Sequence, residues 1–155
     1  MNRVWRRFLR ITKIEKNKKQ FLDLLLLADE QESMIDRYIE RGDMFVLYDD
    51  DLKSICVVTD EGDGVVEIKN IATYAKYQKR GYGRALVDYI SRYYGGNFNK
   101  MIVGTGEVPS AILFYEKCGF TISHKIPNFF IDNYDHLMFE DGIQLKDMIY
   151  LSKCI

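Results

Sequence analysis

The sequence predicts an α/β protein: an α+β mixed sheet of six to seven strands, antiparallel and parallel, flanked by about four helices. Three observations carry this. Strand-like runs at Met44 to Tyr48, Lys53 to Thr59 and Val65 to Thr73 are joined by turns short enough only for antiparallel hairpins. Helical runs then alternate with strands in the second half, the pattern of crossovers that build parallel neighbours. Finally, 47% of the 155 residues are apolar, enough for one real core, so residues 1–155 read as a single domain.

Phe8 to Lys13 reads as a first strand, with Phe8 and Ile11 turned inward. Lys19 to Ala28 is helical, since Phe21, Leu24, Leu25 and Ala28 fall on one face. Asp29, with Glu32 three residues on, has the form of a capping box for a second helix. The apolar side of that helix is Met34, Ile35, Tyr38 and Ile39, and Gly42 ends it. The turns after the next two strands, Asp49-Asp50-Asp51 and Asp60 to Gly64, are acidic but lack a twelve-residue calcium pattern, so they read as solvated hairpin loops. A helix from Ala85 to Tyr94 carries Ala85, Leu86, Tyr89, Ile90 and Tyr93 on one side and stops at Gly95-Gly96. Lys100 to Gly104 is a strand. Pro109 opens another helix, Gly119 follows it as the left-handed residue, and Phe120 supplies the apolar contact beyond. Phe120 to His124 and Asp147 to Ser152 are the last strands, separated by an aromatic loop from Phe129 to Phe139.

Bulk properties narrow the function. A net charge of −1 gives no general affinity for nucleic acid. The basic N-terminus, with Arg3, Arg6, Arg7, Arg10 and Lys13, reads as a solvated first strand rather than an RNA- or membrane-attracting arm. No apolar run is long enough to span a membrane, and the first residues lack the apolar segment of a signal peptide. Cys56, Cys118 and Cys154 have no metal-ligand spacing, so no metal is expected and a reduced, cytoplasmic protein follows.

The chemistry-bearing stretch is Gln78-Lys79-Arg80-Gly81-Tyr82-Gly83-Arg84, between a strand and a helix. Glycines allow close backbone approach and positive φ, and a helix N-terminus attracts anions. The loop therefore suits a phosphate-bearing cofactor, or else is a tight turn with solvated cations. It is not a Walker A motif, since no Gly-Lys-Ser/Thr ends it. It is not a full G-x-G-x-x-G either, since Leu86 holds the last position.

Downstream residues choose between these readings. Ser110 to Phe120, ending Phe114-Tyr115-Glu116-Lys117-Cys118-Gly119-Phe120, resembles the second signature of the GNAT superfamily of acyl-CoA-dependent N-acetyltransferases. Gln78, Gly81 and Gly83 match that family's cofactor loop, and Asn70-Ile71-Ala72-Thr73 looks like its pantetheine-pairing strand. The resemblance is strong over residues 43 to 124. It implies a GNAT-like fold and acetyl-CoA as co-substrate, with the pyrophosphate on backbone N–H groups from Lys79 to Arg84 and the pantetheine on main-chain groups of Ile71 and Thr73. It also implies an N–H near Ala72 or Thr73 for the thioester carbonyl and Tyr115 as the acid that protonates the departing thiolate.

For the base, the resemblance points to Glu67 on the central strand, facing either a cleft or solvent. Glu107 and a water chain are the alternatives. His124 and His136 read as surface or packing residues. Cys118, at a helix C-terminus where the dipole disfavours thiolate, reads as a small buried apolar group. The aromatic and acidic residues from Pro127 to Phe139 form a wall for a cationic amine, a loop over the sheet, or a homodimer contact. The resulting expectation is direct transfer of an acetyl group to a primary amine, favouring a small molecule, with a non-catalytic acyl-CoA sensor as the alternative.

Overall fold

The computed structural model describes residues 9–155, so Arg3, Arg6, Arg7 and Phe8 lie outside the described residues. In chain order the strands are β1 (Leu9–Ile14), β2 (Asp43–Asp49), β3 (Asp51–Gly62), β4 (Val65–Thr73), β5 (Lys100–Gly106), β6 (Thr121–Ile126), β7 (Phe139–Glu140), β8 (Ile143–Gln144) and β9 (Met148–Cys154). The helices are α1 (Leu22–Ala28), α2 (Glu32–Ile35), α3 (Tyr82–Tyr94), α4 (Pro109–Lys117) and α5 (Phe129–Asn133). Among the described residues, seven strands form one sheet in the order β1-β2-β3-β4-β5-β9-β6, and β7 and β8 form a separate hairpin. This is the mixed α/β architecture that the sequence predicts, with one helix more than expected. The described residues divide into two compact units, residues 9–60 with 68–93, and residues 61–67 with 94–155.

In the first unit, β1, β2 and β3 pair antiparallel. Alternation along β2 and β3 puts Met44, Val46, Ile55 and Val57, with Ala72 of β4, against Phe21, Leu24 and Leu25 of the α1 region and Ile35, Tyr38 and Ile39. Burying each such large side chain contributes about 1.5–3 kcal/mol. On the alternate side of β2, Phe45 meets the α3 tyrosines edge-on, its ring 5.9 Å from Tyr89 and 5.1 Å from Tyr93.

The expected capping box does not form. The N-cap of α2 is Gln31 and has no side-chain cap bond. Asp29 is buried and accepts instead a 2.9 Å hydrogen bond from the Tyr38 hydroxyl. Asn70 donates to that same hydroxyl and to the Leu25 carbonyl. The helix is one turn long, and the carboxylate read as its cap belongs to this tertiary network instead. Gly42 does close the segment, but through space: an added Cβ would sit 2.6 Å from Val57 Cγ1.

In the second unit, β9 pairs antiparallel with both β5 and β6. The expected crossover from β5 through α4 therefore yields a strand parallel to β5 but not its neighbour, because β9 lies between them. Two glycines make room for neighbouring side chains, Gly104 for those of β9 and Gly106 for Leu145 ahead of it. A Cβ at Gly104 would meet Met148 Sδ at 2.5 Å and Tyr150 Cζ at 3.0 Å, and one at Gly106 would meet Leu145 Cδ2 at 2.6 Å. The end of α4 follows the reading from sequence. Phe120 N–H bonds the Tyr115 carbonyl and Gly119 N–H that of Glu116, a Schellman closure with Gly119 at φ 97°. The aromatic loop is not irregular throughout. It contains α5 and leads into the β7–β8 hairpin, and Phe130 and Met138 bury themselves with Val108 and Leu145.

Candidate functional site

The cofactor-loop residues lie in the first unit. β4 ends at Thr73, a short 3₁₀ turn covers Ala75–Tyr77, and α3 begins at Tyr82. Gly81 has φ 90° and Lys79 φ 64°, both in the left-handed region. The first bond of the helix runs from Ala85 N–H to the Gly81 carbonyl at 3.0 Å. The N–H groups ahead of it, those of Gly83 and Arg84 included, have no acceptor within the helix. Lys79, Arg80, Gly81 and Arg84 are exposed. The arrangement can therefore hold an anion by backbone donors, helix dipole and side-chain charge together.

Two contacts set this loop. Gln78 Nε2 donates 3.2 Å to the Thr73 carbonyl, tying the loop back to the end of β4. Tyr82, between the glycines, is buried and donates a 2.6 Å hydrogen bond to Asp49 Oδ2. Burial first, then the Asp49 hydrogen bond and charge, push the Tyr82 phenol up to about 12. The acidic turn at Asp49 is thus not merely solvated, as read from sequence, because its first carboxylate is the anchor for α3. Beside the loop, the Lys53–Asp51 ion pair and Arg80 gather on Tyr77. Lys53 Nζ lies 3.6 Å from the centroid of the Tyr77 ring and Arg80 Cζ 5.6 Å, while the Tyr77 hydroxyl donates to Asp51.

The main chain of β4 has a defined polarity. Tyr74 N–H bonds the Lys53 carbonyl on β3, and Ser54 Oγ bonds the Ala72 carbonyl at 2.8 Å. By strand alternation, the backbone groups of Ala72 face β3 and those of Ile71 and Thr73 face away from it. Of the two donors expected for a thioester carbonyl, the Thr73 N–H therefore points off β3 and the Ala72 N–H toward it.

Glu67 and Tyr115 lie in the second unit. Tyr115 is 8% exposed on α4, its ring edge-on to Phe114 at 5.1 Å and Phe120 at 5.8 Å. Glu67 is 6% exposed, so it does not face plain solvent, and Oε2 accepts a 2.9 Å hydrogen bond from the Tyr150 hydroxyl. Tyr150 stacks on His124, centroids 4.9 Å apart and planes 3° apart. Burial first, then the Glu67 charge and hydrogen bond, push the Tyr150 phenol far above its ordinary range. Sequence reasoning missed Tyr150 and set His124 aside. The available signal was Gly104, a bare position in a strand, which marks a close approach by something large. Glu107 is exposed and pairs with Lys125 at 3.4 Å. Cys118 is buried, as expected of a small apolar group.

A family model described as an acetyltransferase (GNAT) domain matches residues 40–122. The protein named uncharacterized N-acetyltransferase YvbK, from Bacillus subtilis (strain 168), is 37% identical over 146 residues, 92% of this chain and 94% of that one. A solved Bacillus subtilis acetyltransferase in complex with CoA is 36% identical with a TM-score of 0.86, covering 95% of this chain and 99% of that one. A GNAT acetyltransferase from Elizabethkingia anophelis with acetyl-CoA bound is 32% identical with a TM-score of 0.88, covering 96% and 99%. Agreement along nearly the whole of both chains, and not at one motif, decides the matter: the chain belongs to the GNAT family of acetyltransferases.

Proposed function

We propose that this N-acetyltransferase binds acetyl-CoA on the loop from Gln78 to Arg84 and the C-terminal end of β4, and acetylates a small-molecule primary amine by direct attack. The observation that carries the reading is the loop itself, where positive φ at Lys79 and Gly81, helical N–H groups without a helical acceptor and exposed cations converge. Those groups fit a pyrophosphate. Ile71 and Thr73 offer main-chain groups directed away from β3 to the pantetheine arm. Acetyl-CoA supplies an activated acyl group and a thiolate leaving group.

Each remaining requirement falls to a residue of the chain. The Thr73 N–H polarises the thioester carbonyl by hydrogen bonding as negative charge grows on its oxygen. Glu67 takes a proton from the amine, whose nitrogen forms the new bond to the carbonyl carbon as the carbon–sulfur bond breaks. Tyr115 gives its phenolic proton to the sulfur; an ordinary phenol, with a pKa of about 10, is protonated at neutral pH. An acidic and aromatic segment of the second unit, with Asp132, Asp135, Tyr134 and Phe139, supports a cationic substrate by its composition.

The test is release of CoA thiol when the protein and acetyl-CoA are mixed with a panel of aliphatic, aromatic and polyamine substrates and short peptides. Amine-dependent thiol release, with a mass increase of one acetyl group on a small amine, is expected. Transfer only to peptides would remove the small-molecule assignment. Acetyl-CoA binding by calorimetry with no transfer to any amine would favour a non-catalytic acyl-CoA sensor.

A further inference from the structure

Glu67 is a buried carboxylate on the central strand, and such a group turns neutral unless donors hold its charge. Tyr150 is placed to be such a donor. Its strand, β9, is separated from β4 by β5 in the sheet order, and the register sets Tyr150 opposite Gly104. Because Gly104 has no side chain, the Tyr150 ring crosses β5 at that point; an added Cβ would lie 3.0 Å from its Cζ. On the other side, β6 places His124 opposite Tyr150, and the imidazole lies flat on the ring. The phenol is held between bare backbone and an aromatic face, with its hydroxyl 2.9 Å from Glu67 Oε2.

We infer that Tyr150 is a positioning residue that keeps Glu67 ionised and oriented to take the proton of the amine. The inference rests on the proposed role of Glu67 as base. A hydrogen bond donated to the ionised form lowers the affinity of the carboxylate for a proton. Tyr150 keeps its own proton throughout the working range, since burial and the neighbouring carboxylate oppose its ionisation, so it donates at every relevant pH. The charged and titratable groups on the neighbouring strands come from β3, β6 and β4 itself. Glu61 of β3 opposes ionisation of Tyr150. His124 of β6 lies flat on the Tyr150 ring. Lys69, two residues along β4 from Glu67, is a cation on the same strand face by alternation.

The decisive measurement is a carbon-detected NMR titration of the Glu67 carboxyl in the wild type and in Tyr150→Phe, beside the pH profile of kcat/KM. In Tyr150→Phe the Glu67 midpoint should rise by about one unit or more, and the acid limb of kcat/KM should move up by the same amount. Replacing Tyr150 by a ring-fluorinated tyrosine, a more acidic phenol in the same shape, should move both the other way and covers the case in which the Phe variant folds poorly. In a Glu67→Gln background, Tyr150→Phe should produce no further change in the profile. A Glu67 midpoint that is unchanged in both variants overturns the inference. A midpoint that shifts while the acid limb stays fixed overturns the role of Glu67 as base, and with it this inference. If the wild type transfers acetyl to no amine, the proposed activity fails on that observation alone, while the titration still reports whether Tyr150 holds the Glu67 charge.

Discussion

The Tyr82 hydroxyl and Asp49 Oδ2 are 2.6 Å apart and both residues are buried, which joins the start of α3 to the end of β2. The bond fixes the first helical residue, and with it the N–H groups of Gly83 and Arg84. Tyr82→Phe leaves a buried carboxylate one donor short and should cost about 1.5–3 kcal/mol in urea unfolding. Stability should also change with pH in a known direction. The folded phenol titrates at about 12, above the unfolded value of about 10, so native protein binds the extra proton between them. Its contribution is complete below pH of about 10 and lost as pH rises toward 12. Tyr82→Phe should lack that falling limb, which unfolding curves across this alkaline range would reveal.

Gly81→Ala tests the loop. At φ 90° an alanine is strained although nothing lies within 4 Å of its Cβ, so the variant should lose about 1–2 kcal/mol and bind acetyl-CoA more weakly. Gly62→Ala, at φ 83° in the β3–β4 hairpin with equally open surroundings, should lose similar stability and keep its affinity. Calorimetric titration of both variants with acetyl-CoA separates backbone strain from ligand binding.

Tyr115→Phe tests the acid. Loss of a positioned proton donor lowers turnover by about 100-fold or more, whereas acetyl-CoA affinity should stay within about twofold. Steady-state kinetics with calorimetry on the same preparation checks both halves. Turnover at the wild-type rate would remove the assigned role.

Gly104→Ala should be destabilising by about 1–3 kcal/mol, because its Cβ would strike the Met148 thioether, which can swing aside, and the Tyr150 ring, which is held by its stacking on His124. Thermal unfolding gives the cost. The Tyr150 tyrosine ring signals, followed by NMR, should shift with it.

Thiol reactivity should single out Cys154. It is exposed, whereas Cys118 and Cys56 are buried, and burial pushes the Cys56 thiol far above its ordinary range. A native thiol-reagent titration should count one fast cysteine, and three after unfolding. A fast-reacting Cys118 would reopen its exclusion as a nucleophile.

Local pattern carried much of this molecule. The bounds of β4 and the Schellman end of α4 follow from alternation, Pro109, Gly119 and Phe120, because each depends only on residues within a few positions. Errors came where a distant residue claimed a local signal. Asp29 looks like a cap for α2, but Tyr38 and Asn70 give it a buried place in a network. Tyr93 shares a side of α3 with Tyr89 and does meet Phe45, but it stays 43% exposed, whereas Tyr94, off that side, is buried with its ring 5.5 Å from that of Phe98. The aromatic stretch read as loop because its order comes from packing of Phe130 and Met138 against Val108 and Leu145.

By itself the sequence determined the mixed α/β class, the glycine loop before a helix and the family resemblance, since these are written in short-range spacing and residue type. Only the tertiary structure decided that β9 runs between β5 and β6, that Tyr82 anchors the loop to Asp49, and that Glu67 is held by Tyr150. The last two partners are 83 positions apart. No periodicity links residues at that separation. They meet because Gly104 leaves β5 bare at the one place where the Tyr150 ring must cross.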